Sequence, residues 1–293
     1  MKQENNQVIL LAISGGPDSI FLLNKYINHN NIVVAHVNYN QRFNSDIDQK
    51  IVEEMCKKHN IPYEVLSLKK DDYQGGNFQN WAREQRYNFF KQVYDKYQCN
   101  LLFVAHHIDD FLETYFLQKK RKSYINYWGI KKRTEIFNMN VERPLLFSYT
   151  KKQIMKFLEK HKIAFAVDYT NTQPKYDRNK IRLSIQNWTS IHKILFLFWI
   201  RIKNIKNFFQ NHRINRILEM WEKKEFAQEF LSKLNKSTQK KLVYQFLHKR
   251  FNKINLSSSK IDSIIQFVVS DNRTSKYKLS DFEHLYKIKG KVQ

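Results

Sequence analysis

Apolar runs and helical stripes alternate along the first part of the chain. Val8-Ile9-Leu10-Leu11-Ala12-Ile13 is an unbroken apolar run of the kind a strand covered on both faces carries. A short polar loop follows, and then the amphipathic run Ile20-Phe21-Leu22-Leu23-Asn24-Lys25-Tyr26 predicts a helix. Ile32 to Asn38 predicts a second strand. Ser45 is placed to cap the next helix, whose stripe is Ile47, Ile51, Val52 and Met55. Ile61 to Leu68 predicts a third strand, and Gly75-Gly76-Asn77 breaks the chain before a helix from Phe78 to near Tyr97. Leu101 to Ala105 predicts a fourth strand, followed by a helix from Asp109 to Lys120. Strands separated by helices predict an α/β fold: a doubly wound parallel sheet with helices on both faces.

The second half has a different pattern. Thr150 and Gln153 form a capping box ahead of a helix with Ile154, Phe157 and Leu158 on one face. Thr170 to Pro174 reads as a loop, and Arg178 and Arg182 recur four apart beyond it. From Trp188 the chain is mainly helical, with core stripes Ile214, Ile217, Leu218, Trp221 and Leu242, Phe246, Leu247. Ser275 to Val292 alternates as a short hairpin would. The expected division is residues 1–187, a sheet domain, and 188–293, a smaller helical domain.

In a parallel sheet, ligands gather at the C-terminal ends of the strands. That rule brings together three polar clusters: Ser14 to Ser19, His36 to Arg42, and His106 to Glu113. The first, Ser14-Gly15-Gly16-Pro17-Asp18-Ser19, holds two of only 6 Gly and one of 4 Pro in the chain. Amides and hydroxyls at a helix N-terminus favour an anion. In the third, Asp109 and Glu113 lie four apart, on one face of a helix. Carboxylates beside a phosphate site suit Mg²⁺, or hold and deprotonate an ammonium group. Arg83 and Arg86, three apart, are placed to neutralise phosphate.

Charge adds a partner. The chain carries 51 Lys and Arg against 27 Asp and Glu, a formal +24. Residues 188–293 hold 22 of those bases and 8 of the acids, so the helical half is the more basic one. This excess points to a polyanion, nucleic acid before an anionic membrane. Lys119-Lys120-Arg121-Lys122-Ser123-Tyr124-Ile125-Asn126-Tyr127-Trp128, with Lys131, Lys132 and Arg133 beyond it, interleaves bases with aromatic rings, which suits RNA. Cys56 and Cys99 form no CxxC pair, and core packing is the expected role of both. The N-terminus lacks the apolar segment of a signal peptide, and the longest apolar run, Ile194 to Ile200, is too short to span a bilayer. A cytoplasmic location with no membrane partner is expected.

The loop Ser14 to Ser19 resembles the SGGxDS pyrophosphate loop of the N-type ATP pyrophosphatases, the PP-loop superfamily, and not a Walker loop. Further segments resemble one branch of it, the tRNA(Ile)-lysidine synthases. Ala35-His36-Val37-Asn38-Tyr39-Asn40-Gln41-Arg42 is similar to their HVNHxLR segment. Ala82-Arg83-Glu84-Gln85-Arg86-Tyr87 is similar to their ARxxRY helix, and Ala105 to Thr114 to their AHHxDDxxET segment. Arg143-Pro144-Leu145-Leu146, Asp168-Tyr169-Thr170-Asn171 and Arg178-Asn179-Lys180-Ile181-Arg182 follow in the family's order. The likeness spans residues 7 to 187. Two departures are Tyr39, where the family has His, and the basic segment after Lys119, where the family is Gly-rich.

The resemblance implies a two-step ligase. ATP adenylates C2 of the wobble cytidine of a CAU-anticodon isoleucine tRNA, and free L-lysine then displaces AMP to give lysidine. It implies ATP and Mg²⁺ as cofactors, and a homodimer is compatible with it. Ser14, Gly15, Gly16, Pro17, Asp18, Ser19, His36, Asn38 and His106 are the expected ATP-binding residues. Asp18, Asp109, Asp110 and Glu113 are the expected catalytic acids. Asp18 and one of Asp109 or Asp110 are the candidates for Mg²⁺, Asp109 being the one adopted; Glu113 is the candidate for the lysine ammonium. Arg42, Arg83, Arg86, Arg143, Arg178 and Arg182 are candidates for substrate or tRNA phosphate. A PP-loop tRNA thiolase fits less well, because no CxxC is present. A non-catalytic RNA-binding protein fits less well, because the acids are intact.

Overall fold

A computed structural model describes residues 7–40, 45–121, 125–166, 177–251, 256–280 and 282–293. The chain forms two compact units. One comprises residues 1–114 and 129–197, and the other residues 115–128 and 198–293.

The first unit is built on a six-stranded sheet. Its strands are β1 (Ile9–Ala12), β2 (Ile32–Asn38), β3 (Tyr63–Ser67), β4 (Leu101–Phe103), β5 (Arg133–Ile136) and β6 (Met139–Glu142), in the order β3-β2-β1-β4-β6-β5. All neighbours are parallel except the β5–β6 pair. Helices α1 (Pro17–Tyr26), α2 (Ser45–Lys58), α3 (Phe78–Lys96), α4 (Ile108–Lys120), α5 (Lys151–Lys160) and α6 (Asp177–Gln186) begin in this unit, as does the start of a seventh. Alternate strand residues feed two cores. Leu11, Ile13 and Val34 pack with Ile20, Leu23, Val52, Ile154 and Leu158, from α1, α2 and α5. Leu10, Val33 and Ala35 pack with Tyr87, Phe90 and Val93, from α3. Burial on both faces is why these strands are apolar throughout. Cys56 and Cys99 are buried and free, as expected of core residues. Burial pushes their thiols up to about 12 and about 11, so neither is a ready nucleophile.

The β5–β6 hairpin was not expected. Its turn residues, Phe137 and Asn138, both have positive φ (52° and 56°), as a two-residue hairpin turn of this hand requires. No Asn-Gly or Asp-Gly announces it. Instead the Phe137 ring stacks on Tyr87 at 5.6 Å. The expected basic loop up to Arg133 is accordingly interrupted: Arg133 opens β5 and pairs with Glu142 at 3.0 Å.

The second unit holds most of α7 (Ser190–Lys223), with α8 (Gln228–Ser232), α9 (Lys236–Arg250), α10 (Ser258–Val269) and an antiparallel sheet of β7 (Ser275–Lys278), β8 (His284–Ile288) and β9 (Lys291–Val292). Trp221, Leu231, Leu242, Phe246, Ile264 and Leu285 form its core, so the two stripes read from the sequence are core stripes. Along α7, Phe198, Ile202, Ile205 and Phe209 remain more than half exposed. No helix among the described residues is long and apolar enough to cross a membrane.

One buried base closes this unit. Lys287 has no exposed surface, and its Nζ donates to the carbonyls of Phe267 (2.8 Å), Val268 (3.3 Å) and Ser270 (3.0 Å) and to Ser270 Oγ (2.7 Å). These are the orphan carbonyls at the end of α10. Lys287→Ala leaves them unpaired beside a cavity and is expected to lower unfolding free energy by about 2–4 kcal/mol in urea titration; an unchanged midpoint contradicts this.

Candidate active site

The strand order reverses between β1 and β4, because the chain runs outward through β2 and β3 before returning. The loops after β1 and β4 therefore flank one crevice, the usual ligand position in such a sheet. The first loop is Ser14 to Ser19. Gly15 has φ +83°, and a Cβ there would lie 2.9 Å from both Cβ and the carbonyl oxygen of Asp48. Gly16 is the N-cap of α1 and Pro17 begins it, yet no side chain caps the helix. Ser19 is buried and ties the loop: its Oγ donates to the Gly16 carbonyl (2.8 Å), accepts from the Ser14 amide (3.1 Å) and lies 3.2 Å from Ser14 Oγ. The exposed Ser14 and the uncapped amides of α1 leave an anion-binding end.

The second loop supplies the charges. His107 is buried, and its Nε2 lies 3.4 Å from Asp18 Oδ1 and 3.5 Å from Asp110 Oδ2. Its Nδ1 faces Asp109 twice, at 3.2 Å from the amide nitrogen and 3.6 Å from Oδ2. The amide contact suits a neutral ring and the carboxylate contact a charged one. Burial opposes the charge, but Asp110, Asp109 and Asp18 outweigh it and push the ring up to about 10.

Each acid also has a second cation or a backbone donor. Asp18 Oδ1 takes Lys151 Nζ at 2.7 Å. Burial works against the Asp18 carboxylate, yet His107 and Lys151 bring it down to about 2. Asp109 Oδ1 takes Lys193 Nζ at 2.5 Å, and its Oδ2 takes the Lys151 amide at 2.8 Å. Asp110 takes the His107 amide at 3.0 Å and Arg178 at 3.1 Å. Glu113, 1% exposed, takes Arg178 Nε on Oε2 and Arg182 Nε on Oε1, both at 2.7 Å. Four carboxylates thus meet five cations: His107, Lys151, Lys193, Arg178 and Arg182.

This changes several expected roles. Arg178 and Arg182, four apart on α6, clasp Glu113 rather than standing open for phosphate, and Glu113 has no oxygen left clear of them. Arg143 is 5% exposed, and it donates to His106 Nδ1 (3.3 Å) and to the Lys131 carbonyl (2.8 Å). Burial holds His106 down to about 4 against Asp110, with Arg143 and Arg178 adding to the effect, so its ring is neutral. Asn38 spends its side chain on Asp46, Gln49 and the Asn40 amide, which shapes the turn after β2. Tyr39 donates to the Ala82 carbonyl at 3.0 Å, a structural bond to α3. Arg83 and Arg86 lie over the Tyr87 ring at 4.6 and 5.7 Å. Arg42 and Asp168 to Asn171 lie outside the described residues.

His36 is the buried residue with capacity to spare. Its Nδ1 donates to the Ile13 carbonyl at 2.9 Å, immediately before the loop, and burial lowers its pKa. A neutral ring with Nδ1–H leaves Nε2 as an acceptor, and that buried atom has no partner among the described residues. Sequence reasoning missed three residues of the cluster. His107 was hidden in the His106-His107 doublet. Lys151 follows the capping Thr150, and Lys193 borders an apolar run; both look like surface bases.

Among the described residues no three His, Cys, Asp or Glu side chains converge on a metal position. Asp109 does not fit Mg²⁺, because Lys193 and the Lys151 amide take both its oxygens. Asp18 fits as a single ligand, because both of its cations sit on Oδ1. One carboxylate is enough for an ion otherwise held by phosphate and water.

The cluster predicts a pH signature. The His107 pKa lies above that of a free imidazole, so its ionic contribution to stability is present below about 6.5 and fades as pH rises toward about 10. His107→Gln leaves three carboxylates short of a buried cation and is expected to cost about 3 kcal/mol at pH 7. Urea unfolding of both proteins should show that gap closing toward pH 10; a gap independent of pH contradicts the charged ring.

A family model for the PP-loop domain matches residues 1–188. The chain is 42% identical over 287 residues to the tRNA(Ile)-lysidine synthase of Mycoplasmopsis pulmonis, covering 96% of each chain. It is 35% identical to that of Mesomycoplasma hyopneumoniae, covering 100% of this chain and 97% of the relative. Among solved structures, the U34-tRNA thiolase NcsA from Methanococcus maripaludis, determined with its [4Fe-4S] cluster, aligns with a TM-score of 0.53 at 16% identity. It covers 68% of this chain and 72% of its own, a likeness of fold alone. On the matched domain and these near-full-length identities, the chain belongs to the tRNA(Ile)-lysidine synthase family of PP-loop ligases.

Proposed function

We propose that this chain joins free L-lysine to C2 of the wobble cytidine of a CAU-anticodon isoleucine tRNA, with ATP cleaved to AMP and pyrophosphate. The observation that carries the reading is the adjacency of an uncapped helix N-terminus and a fully neutralised carboxylate cluster, joined through Asp18. In the first step the cytidine C2 oxygen attacks the α-phosphorus and pyrophosphate leaves. The α1 amides and Ser14 receive the pyrophosphate charge. His36 fixes the approach to the loop through its bond to the Ile13 carbonyl. Asp18 would hold Mg²⁺, which offsets phosphate charge when bound.

In the second step the lysine Nε attacks C2, the C2–O bond breaks and AMP departs. Lysine arrives as an ammonium and must lose a proton, so it needs a carboxylate that is not already satisfied. The cluster supplies one by exchange. Lys151 is 38% exposed at its side chain and can turn from Asp18 to a phosphate, as can Arg178 from Asp110. The first transfer clears Asp18 for Mg²⁺ and the second releases Asp110 for the ammonium, so ATP prepares the lysine site. Asp109 serves as a positioning acid, fixing the start of α5 through the Lys151 amide.

Protein, ATP, Mg²⁺ and labelled lysine, incubated with an unmodified CAU-anticodon isoleucine tRNA, are expected to give acid-insoluble label. Absence of label sinks the reading. Asp109→Asn is expected to cut incorporation at least about a hundredfold while tRNA affinity stays near wild type; an active variant removes Asp109 from the account.

A further inference from the structure

The basic, aromatic segment that follows Lys119 contributes a ring to a cluster in the second unit. Asn204, 7% exposed, accepts from the Trp128 amide (2.8 Å) and donates to the Trp128 carbonyl (2.9 Å). Gln118 donates to the neighbouring Tyr127 carbonyl at 3.3 Å. These bonds fasten the segment between α4 and α7. The Trp128 ring tilts against Tyr115 at 5.2 Å, and Trp199 meets Tyr115 edge-on at 6.3 Å. Trp199 remains 45% exposed. Lys203 Nζ stands 4.1 Å from the Trp199 ring and 5.7 Å from that of Trp128.

Two indoles, Trp128 held by a backbone clamp and Trp199 well exposed on α7, with one ammonium near both rings, are more than core packing needs. The surrounding charge has one sign. From Phe198 to Leu218 α7 carries Arg201, Lys203, Lys206, Arg213 and Arg216 and no acid. A flat ring for stacking and a base for phosphate is the pairing that single-stranded nucleic acid uses. A duplex keeps its base faces stacked inside, so such a platform takes unpaired nucleotides.

We infer that Trp199, Trp128 and Lys203 form a stacking platform for an unpaired nucleotide of the RNA substrate, with the base on Trp199 and its phosphate on Lys203. The inference rests on the reading that the chain acts on tRNA. Asn204 is a positioning residue, holding Trp128 in place.

The test uses the full chain and two RNAs: an unmodified CAU-anticodon isoleucine tRNA transcript, and a blunt-ended, two-stranded minihelix of its acceptor stem, which has no unpaired nucleotide. Affinities are measured by filter binding across a salt series, with wild-type lysine incorporation run in parallel. Trp199→Leu, which keeps apolar bulk but loses the ring, is expected to weaken tRNA binding about tenfold, with Trp199→Phe restoring most of it. Minihelix binding should not change. Lys203→Gln should lower the slope of log affinity against log salt by about one contact, whereas Trp199→Leu leaves that slope alone. Wild-type-like tRNA binding by Trp199→Leu overturns the inference. So does an equal loss on the minihelix, or a loss accompanied by a changed mass in solution, which would assign the ring to a protein contact. If wild-type protein binds tRNA through this platform yet transfers no lysine, the functional reading fails and the platform stands.

Discussion

A buried imidazole among three carboxylates is the constraint on which the site depends. Without a cation at His107, Asp18, Asp109 and Asp110 would place like charges together in a desolvated crevice, at a cost of several kcal/mol. With it, the loops after β1 and β4 are drawn onto a common centre, and Asp18 at the start of α1 is tied to α4 through one ring. Lys151 and Lys193 extend the tie to α5 and α7, and Arg178 and Arg182 extend it to α6. The carboxylates proposed for catalysis are therefore also the joints of the first unit. Substitutions there need a folding measurement beside every activity measurement.

The exchange of cations gives this arrangement a chemical use. A site built to receive an ammonium would be expected to present open negative charge, and among the described residues every carboxylate of this one already faces a cation. Of the cations that satisfy its acids, Lys151, Arg178 and Arg182 are partly exposed, whereas His107 and Lys193 are buried. In the proposed mechanism nucleotide charge is what exposes acid for lysine, and the order of the two steps then follows from charge balance. The excess of base lies in residues 188–293, with 22 Lys and Arg against 8 Asp and Glu.

Much of this was legible in the chain. The strand runs from Val8, Ile32 and Leu101 are apolar throughout because both faces of the sheet are covered, and a continuous run is a strong signal. The loop at Ser14 was legible because glycine is rare here and two fall together, one of them at a φ that other residues avoid. The capping box at Thr150 was legible because it is local. What escaped was non-local. Lys193 and Lys151 are recognisable as site residues only once the sheet brings Asp109 and Asp18 beside them. Glu113 and the arginines four apart on α6 were each picked out, but their mutual pairing belongs to the packing of α6 on α4. The β5–β6 hairpin turns on an aromatic stack, where the usual turn glycine would have announced it. Tyr115 and Trp128 belong with the second unit, although the basic run between them read as a loop of the sheet domain.

The claim that nucleotide frees the acids has a direct measurement. Lysine binding is followed by calorimetry with and without a non-hydrolysable ATP analogue and Mg²⁺, in the absence of tRNA. The account predicts lysine binding that is weak or undetectable in the free protein and strengthens at least about tenfold, or 1.4 kcal/mol of coupling, when the analogue is bound. Equal lysine affinity in both states would contradict it, because it would show an acid open to the ammonium from the start.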